Sequence, residues 1–313
     1  MRIFIAGATG VLGRRMVRQF MEKNHRVVGL ARDERGTQTI QRLGGEPVVA
    51  DIFNADALAA VVKQADVVIH AATAIPTKVS SNRADWALND RLRREGTRAL
   101  VEAAARVGAK TYIQQSIVWV ARPPDDSFFD EHTPLERPDE LYRSAFDGEQ
   151  IALAAGEKYN FNVSVLRCGG FYAPDAHHTR SFAQGLLKRR LPLIGAGAAV
   201  SANLHADDAA SAFVTAAEAG RRGLWHVTDD EPETIKEMLF EFARQLGAPA
   251  PRWIPSWLAR MFVGKSVVEF FTRSTRTSNR LFRDETGWSP RFSSFRAGLE
   301  TIVDTWRTEG FAA

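Results

Sequence analysis

The chain has 313 residues, 45% apolar and 25% charged, with 41 Lys and Arg against 37 Asp and Glu for a net charge of +4. This is ordinary composition for a folded protein with a sizeable core, so disorder and collagen-like repeats are excluded, and so small a basic excess does not argue for a nucleic-acid partner. A single cysteine, Cys168, excludes an internal disulfide and a cysteine-rich metal site, and makes a reducing, cytoplasmic location the default expectation.

The first residues, Met1-Arg2-Ile3-Phe4-Ile5-Ala6-Gly7, hold an apolar run that stops at a glycine. That run is too short for a secretory signal, and no stretch of about 18 apolar residues follows that would cross a membrane. Short β-branched runs then alternate with helical patterns. The predicted strands are Ile3–Ala6, Arg26–Leu30, Pro47–Ala50, Val67–Ala71, Thr111–Gln115 and Asn162–Leu166. Predicted helices are Arg14–Lys23, Ala55–Gln64 behind a cap at Asn54, and Arg94–Val107. This alternation predicts an α/β fold with a doubly wound, Rossmann-type parallel sheet. After about Arg167, Pro174, Pro192, Gly195 and Gly197 break the pattern, and Leu224–Thr228 is one further strand that could rejoin the sheet. The expected division is a nucleotide-binding domain over residues 1–167, its sheet completed by 204–228, and a smaller mixed lobe from 168–203 and 229–313 that binds substrate.

The first strand ends in Gly7-Ala8-Thr9-Gly10-Val11-Leu12-Gly13, and a helix follows at once. Glycines at this spacing allow a tight turn, close approach of backbone to a pyrophosphate, and packing of helix on strand; the amides at the helix start face the phosphates. The end of the second strand selects the cofactor. An acid there would accept from the adenosine ribose 2′-hydroxyl of NAD, whereas a guanidinium would pair with the 2′-phosphate of NADP. The sequence reads Ala31-Arg32-Asp33, with Ala31 where the acid is expected. NADP(H) is therefore favoured over NAD(H), with Arg14, Arg15 and Arg35 as possible helpers and Asp33 as the competing NAD-type candidate. Asp51 and Ile52, after the third strand, suit the adenine; Ala71 and Ala72, after the fourth, are small enough for backbone to approach the cofactor ribose.

These residues resemble the extended branch of the short-chain dehydrogenase/reductase superfamily, which includes the epimerase/dehydratase group. The likeness spans nearly the whole chain: the Gly7–Gly13 loop, Val67–Ala72, Asn89…Gly96-Thr97, Glu131…Pro134…Tyr142…Glu149, Leu204-His205-Ala206-Asp207-Asp208, and Gly287-Trp288-Ser289-Pro290. The resemblance implies a small-molecule substrate, a catalytic serine at Ser116, a catalytic and cofactor-contacting tyrosine at Tyr142, and pairing of two copies through long helices. It also implies a lysine four residues beyond the tyrosine, where this sequence has Phe146, with Ala145 at the spacing of three. A phenol ionises near pH 10 and needs a nearby cation to act as a base; as a neutral donor, Tyr142 could still protonate a carbonyl oxygen, so the replacement hurts oxidation more than reduction. A second departure puts Gly170 where relatives acting on nucleotide sugars carry an asparagine.

The function this supports is NADP(H)-dependent reduction of a carbonyl substrate, with Tyr142 as proton donor, Ser116 polarising the oxygen, and Trp119 and Tyr172 near the substrate entrance. The alternatives are an NADP(H)-binding redox sensor or scaffold without turnover, and a nucleotide-sugar epimerase or dehydratase. No metal site is expected, because the seven histidines include no H-x-x-x-H. A hydrolase triad through Ser116 and His205 is disfavoured because no G-x-S-x-G elbow is present. The run Arg91, Arg93, Arg94 and Arg98 reads as solvated surface, and Arg273, Arg276, Arg280 and Arg283 share one face if helical. Trp253, Trp257, Phe262, Phe270 and Phe271 are expected in the core of the smaller lobe, some of them facing the cleft.

Overall fold

A computed structural model describes residues 1–78, 82–135 and 138–311. The strands in chain order are β1 (Arg2–Ala6), β2 (Arg26–Ala31), β3 (Glu46–Val49), β4 (Val67–His70), β5 (Thr111–Ile117), β6 (Asn162–Cys168), β7 (Gly170–Tyr172), β8 (Leu193–Ile194), β9 (Val200–Ser201), β10 (Asn203–His205), β11 (Gly223–Val227), β12 (Glu233–Thr234) and β13 (Trp253–Ile254). The helices are α1 (Val11–Glu22), α2 (Glu34–Arg42), α3 (Ala55–Val61), α4 (Arg83–Arg91), α5 (Thr97–Arg106), α6 (Arg143–Tyr159), α7 (His177–Leu187), α8 (Ala206–Ala219), α9 (Ile235–Leu246), α10 (Ser256–Val263), α11 (Lys265–Thr272), α12 (Arg280–Thr286) and α13 (Phe295–Thr308).

Seven strands form one parallel sheet in the order β11-β6-β5-β4-β1-β2-β3. Alternation along each strand feeds two apolar layers. Ile3 and Ile5 of β1 pack with Met16, Phe20 and Phe213 on one face, while Phe4 and Ala6 pack with Leu100, Ala104 and Val163 on the other. Burial on both faces is why these strands read as continuous apolar runs. The strand order reverses between β4 and β1, and the two carboxyl ends are tied there by the Ala71 amide donating to the Ala6 carbonyl at 2.9 Å. In doubly wound sheets such a reversal opens the ligand crevice.

The smaller lobe has its own core of Leu186, Phe242, Leu299, Ile302 and Trp306, from α7, α9 and α13. The segment Leu204–Ala210 clamps it to the sheet. Asp208 accepts from the Arg291 and Phe292 amides at 2.8 and 3.0 Å, Asp207 pairs with Arg15 of α1 at 2.6 Å, and His205 Nδ1 accepts from the Asp207 amide at the start of α8.

Several expectations need correction. Trp253, Trp257 and Phe262 are 62%, 68% and 77% exposed and Phe270 is 42% exposed, so only Phe271 of that aromatic group is core. The apolar spacing of α10 and α11 does not by itself say which side is covered. Arg273, Arg276, Arg280 and Arg283 share no helix, since α11 ends at Thr272 and α12 begins at Arg280. Arg273 instead binds Asp126, and Arg283 binds Asp230. The predicted helix at 94–107 is preceded by α4 and a π turn, Leu92–Gly96, which join α5 into one helical run.

Candidate active site

Gly7 follows β1 directly with φ +94°, a conformation that disfavours any side chain. A Cβ on Gly7 would stand 2.6 Å from the Ala71 and Ala72 backbone, and one on Gly13 would stand 2.0 Å from the Gly7 carbonyl oxygen. Both glycines are thus demanded by close approach: loop to β4 end, and helix to strand. Gly10 caps α1 without a side-chain hydrogen bond, and the first turn carries no acidic residue. The first intrahelical bond is Arg14 amide to Gly10 carbonyl at 3.0 Å. The amides of Val11, Leu12 and Gly13 therefore lack i−4 acceptors within the helix and suit an anion. These residues fit the pyrophosphate of a dinucleotide. Thr9 holds the loop shape, its carbonyl accepting from Arg14 Nη1 at 2.6 Å.

Arg32 leaves the end of β2 with its side chain 91% exposed. Asp33 Oδ1 caps α2, accepting from the Gly36 amide at 2.9 Å, and its Oδ2 lies 3.9 Å from Arg32 Nε. Of the possible helpers, Arg14 pairs with Asp175 at 2.6 Å and Arg15 with both Asp175 and Asp207 at 2.8 and 2.6 Å. Asp51 is exposed and accepts from the Phe53 amide at 3.0 Å, while Ile52 is half-buried and packs toward Gly96 in the π turn. His70 ends β4 and is buried. Its Nδ1 accepts from the Ala72 amide at 3.3 Å, which leaves the proton on Nε2 to donate to the Leu92 carbonyl at 3.2 Å. Burial pushes its pKa down to about 4, so it braces the Ala71–Ala72 corner as a neutral ring.

Ser116 does not lie beyond the fifth strand but inside it, since β5 runs on to Ile117. Alternation turns Ser116 toward α6, where its hydroxyl donates to Glu149. Glu149 is fully buried and also takes two bonds from Arg167, at 2.9 and 2.7 Å. A hydroxyl has one proton, so Ser116 cannot in this arrangement also donate to a substrate carbonyl. Tyr142 is the N-cap of α6, and its carbonyl accepts from the Phe146 amide at 3.2 Å, so Phe146 does lie one helical turn on. The Tyr142 ring stacks on Trp119, with centroids 6.4 Å apart, and the Arg122 guanidinium lies 5.8 Å from it. Burial raises the Tyr142 pKa, and the Arg122 charge opposes that rise. Trp119 also meets Phe270 at 6.1 Å, so Phe270, Trp119 and Tyr142 form one aromatic series. Tyr172 is not at an entrance. It is 3% exposed, packs against His205 and Phe295, and donates to the Ser294 carbonyl at 3.1 Å. Its aromatic character suits a wall equally well as a core, which is why sequence misplaced it.

Arg93, read in the sequence as solvated surface, is buried. It lies in the π turn and is 8% exposed, whereas its neighbours Arg91 and Arg94 pair with Glu95 and Asp147 at 2.7 Å. A π insertion rotates the following residues relative to a regular helix, so spacing alone could not show which arginine turns inward.

A nicotinamide-dependent enzyme of the Rossmann class is what this sheet and glycine loop define. Residues 3–227 match the family model described as "NAD dependent epimerase/dehydratase family", and the chain belongs to that family. A Streptomyces 3-diazoavenalumate denitrifying reductase is 36% identical over 96% of this chain and 99% of its own length. Among solved structures, the human epimerase family protein SDR39U1 with NADPH matches with a TM-score of 0.82 and 19% identity, covering 97% of this chain and 99% of its own. The Streptomyces venezuelae dTDP-glucose 4,6-dehydratase DesIV, with NAD and TYD bound, matches with a TM-score of 0.80 and 22% identity, covering 99% and 98%. The two structural matches establish the shared fold.

Proposed function

We propose that the chain is an NADPH-dependent reductase of an aromatic or similarly flat electrophile. The observation that carries the cofactor choice is the pair at the end of β2: Arg32, its side chain 91% exposed, with its Nε 3.9 Å from Asp33 Oδ2, and Asp33, whose Oδ1 caps α2. Val11, Leu12 and Gly13 would hold the pyrophosphate, Arg32 the 2′-phosphate, Asp51 and Ile52 the adenine side, and Ala71 and Ala72 the ribose. When bound, NADPH supplies a hydride. For a carbonyl substrate the chain must add a proton, and Tyr142 is the group to give it. Kept protonated by burial, it serves as an acid rather than a base, which fits a site with Phe146 in place of lysine. Trp119 and Phe270 extend the Tyr142 ring into a surface on which a flat substrate can lie.

A second reading is favoured by the 36% identity to a reductase that acts on a diazo compound. A carbon that accepts hydride while losing dinitrogen needs no proton from the protein. The commitment of the Ser116 hydroxyl to Glu149 would then cost nothing.

Following NADPH oxidation with an aryl-aldehyde and ketone panel and with aryl diazonium salts decides between them. On the carbonyl reading Tyr142→Phe lowers turnover by roughly a hundredfold or more. On the second, diazonium turnover survives that change. Absence of NADPH consumption with either class, despite tight cofactor binding, would leave a binding protein without turnover.

A further inference from the structure

We propose that the cleft contains a carboxylate-binding subsite in which Arg93, with Asn89 and Ser144, holds an anionic group of the substrate. The word substrate rests on the reductase reading; the anion site does not. Arg93 is 8% exposed, and its guanidinium forms no hydrogen bond or ion pair among the described residues. Asn89 lies four residues earlier on the same helical run and is 0% exposed. Its Oδ1 accepts from the Ala74 amide at 3.0 Å, but its Nδ2 has no acceptor among the described residues. Ser144 is 1% exposed and its hydroxyl is also unpartnered among the described residues. Helix α6 touches the π turn at Gly148, where a Cβ would stand 2.7 Å from the Arg93 carbonyl oxygen. Ser144 is one turn before Gly148 and so lies on the same side of α6.

The Asn89 amide and the Ser144 hydroxyl are thus buried without an acceptor among the described residues, and Arg93, on the same helical run as Asn89, adds a guanidinium without a partner among them where the π turn meets α6. Leaving buried donors unsatisfied is costly, most of all for a charged one. Of the two carboxylates that act on Arg93, Asp90 has the larger effect, and Glu149 has its oxygens taken by Arg167 and Ser116. Asp90, Glu149 and Tyr142 all act electrostatically on Arg93, and burial lowers its pKa to about 10, which leaves it cationic at neutral pH. His70, on the other side, is neutral. A carboxylate matches this need, offering two oxygens to a guanidinium fork and lone pairs to the amide and hydroxyl. The adjoining Tyr142–Trp119–Phe270 series suits an aromatic ring on the same ligand.

Calorimetry on the full chain with saturating NADP+, comparing cinnamate with methyl cinnamate, tests this. The acid should bind and the ester should bind roughly tenfold or more weakly. Arg93→Met should abolish the difference, and Arg93→Lys should keep part of it. Asn89→Asp preserves the Ala74 contact but adds a like charge, so it should weaken cinnamate and spare the ester. No binding of cinnamate, equal affinity for acid and ester, or an unchanged acid preference in both Arg93→Met and Asn89→Asp overturns the subsite. The same titrations without NADP+ separate the two claims. An Arg93-dependent preference for the acid in a protein that takes up no pyridine nucleotide upholds the subsite and removes the reductase.

Discussion

Gly13 shows how much a single position can dictate. Its missing side chain lets α1 rest on the Gly7 carbonyl and the Ala8 backbone, with a would-be Cβ at 2.0 and 2.7 Å. Gly13→Ala must therefore push helix from strand. The expected outcome is a loss of roughly 1–3 kcal/mol in chemical denaturation together with loss of NADPH binding. Gly10→Ala, whose Cβ would meet only the Gly7 oxygen at 3.3 Å, should be far milder. Equal damage from both would remove the packing argument. The glycine loop was legible because its constraint is local to seven consecutive residues. The position of Arg32 just beyond β2 was legible for the same reason, being set by the length of that strand. The burial of Arg93 was not, because the π turn that buries it has no signature in spacing.

At the scale of elements, β5 and α6 are held together by Ser116, Glu149 and Arg167. A buried carboxylate with three charge-assisted bonds is worth little against an apolar replacement but much against a broken pair. Glu149→Gln should cost roughly 3–5 kcal/mol in urea unfolding, since Arg167 is left buried without a counter-charge, while Ser116→Ala should cost only about 1 kcal/mol. If Ser116→Ala leaves stability untouched and removes activity, the serine belongs to the chemistry and not to this network. Element existence was readable because buried parallel strands announce themselves by composition; all seven sheet strands have a sequence counterpart. Their ends were less readable. The two extra residues of β5 moved Ser116 from a loop into the sheet, and nothing in Gln114-Gln115-Ser116-Ile117 marks where pairing with β6 stops.

For the molecule as a whole, buried histidines set an acid limit. Burial lowers His70 to about 4 and His226 to about 3. Each favours the folded state fully above its unfolded pKa near 6.5, and that contribution is lost as pH falls toward the folded value. Asp208 acts in the opposite sense. Burial raises it to about 6, so its ionisation penalises the fold at neutral pH, and protonation through pH 6 relieves the penalty. In thermal melts between pH 7 and pH 5, His70→Asn should therefore show a smaller loss of Tm on acidification than the parent, and Asp208→Asn a larger one. Matching pH slopes for parent and both variants would contradict these assignments. The exposed aromatic face of α10 and α11 also belongs to this scale; burial of that face depends on tertiary placement, which an apolar pattern alone does not specify.

The central claim is that the Gly7–Gly13 corner holds the diphosphate of a pyridine coenzyme and that Arg32 selects its phosphorylated form. Isothermal titration of the purified, nucleotide-free protein with NADPH and with NADH tests it most directly. The account predicts saturable binding of both with NADPH favoured, and a loss in Arg32→Ala of roughly tenfold or more for NADPH with little change for NADH. No uptake of either coenzyme, or an equal loss for both in the variant, would contradict it.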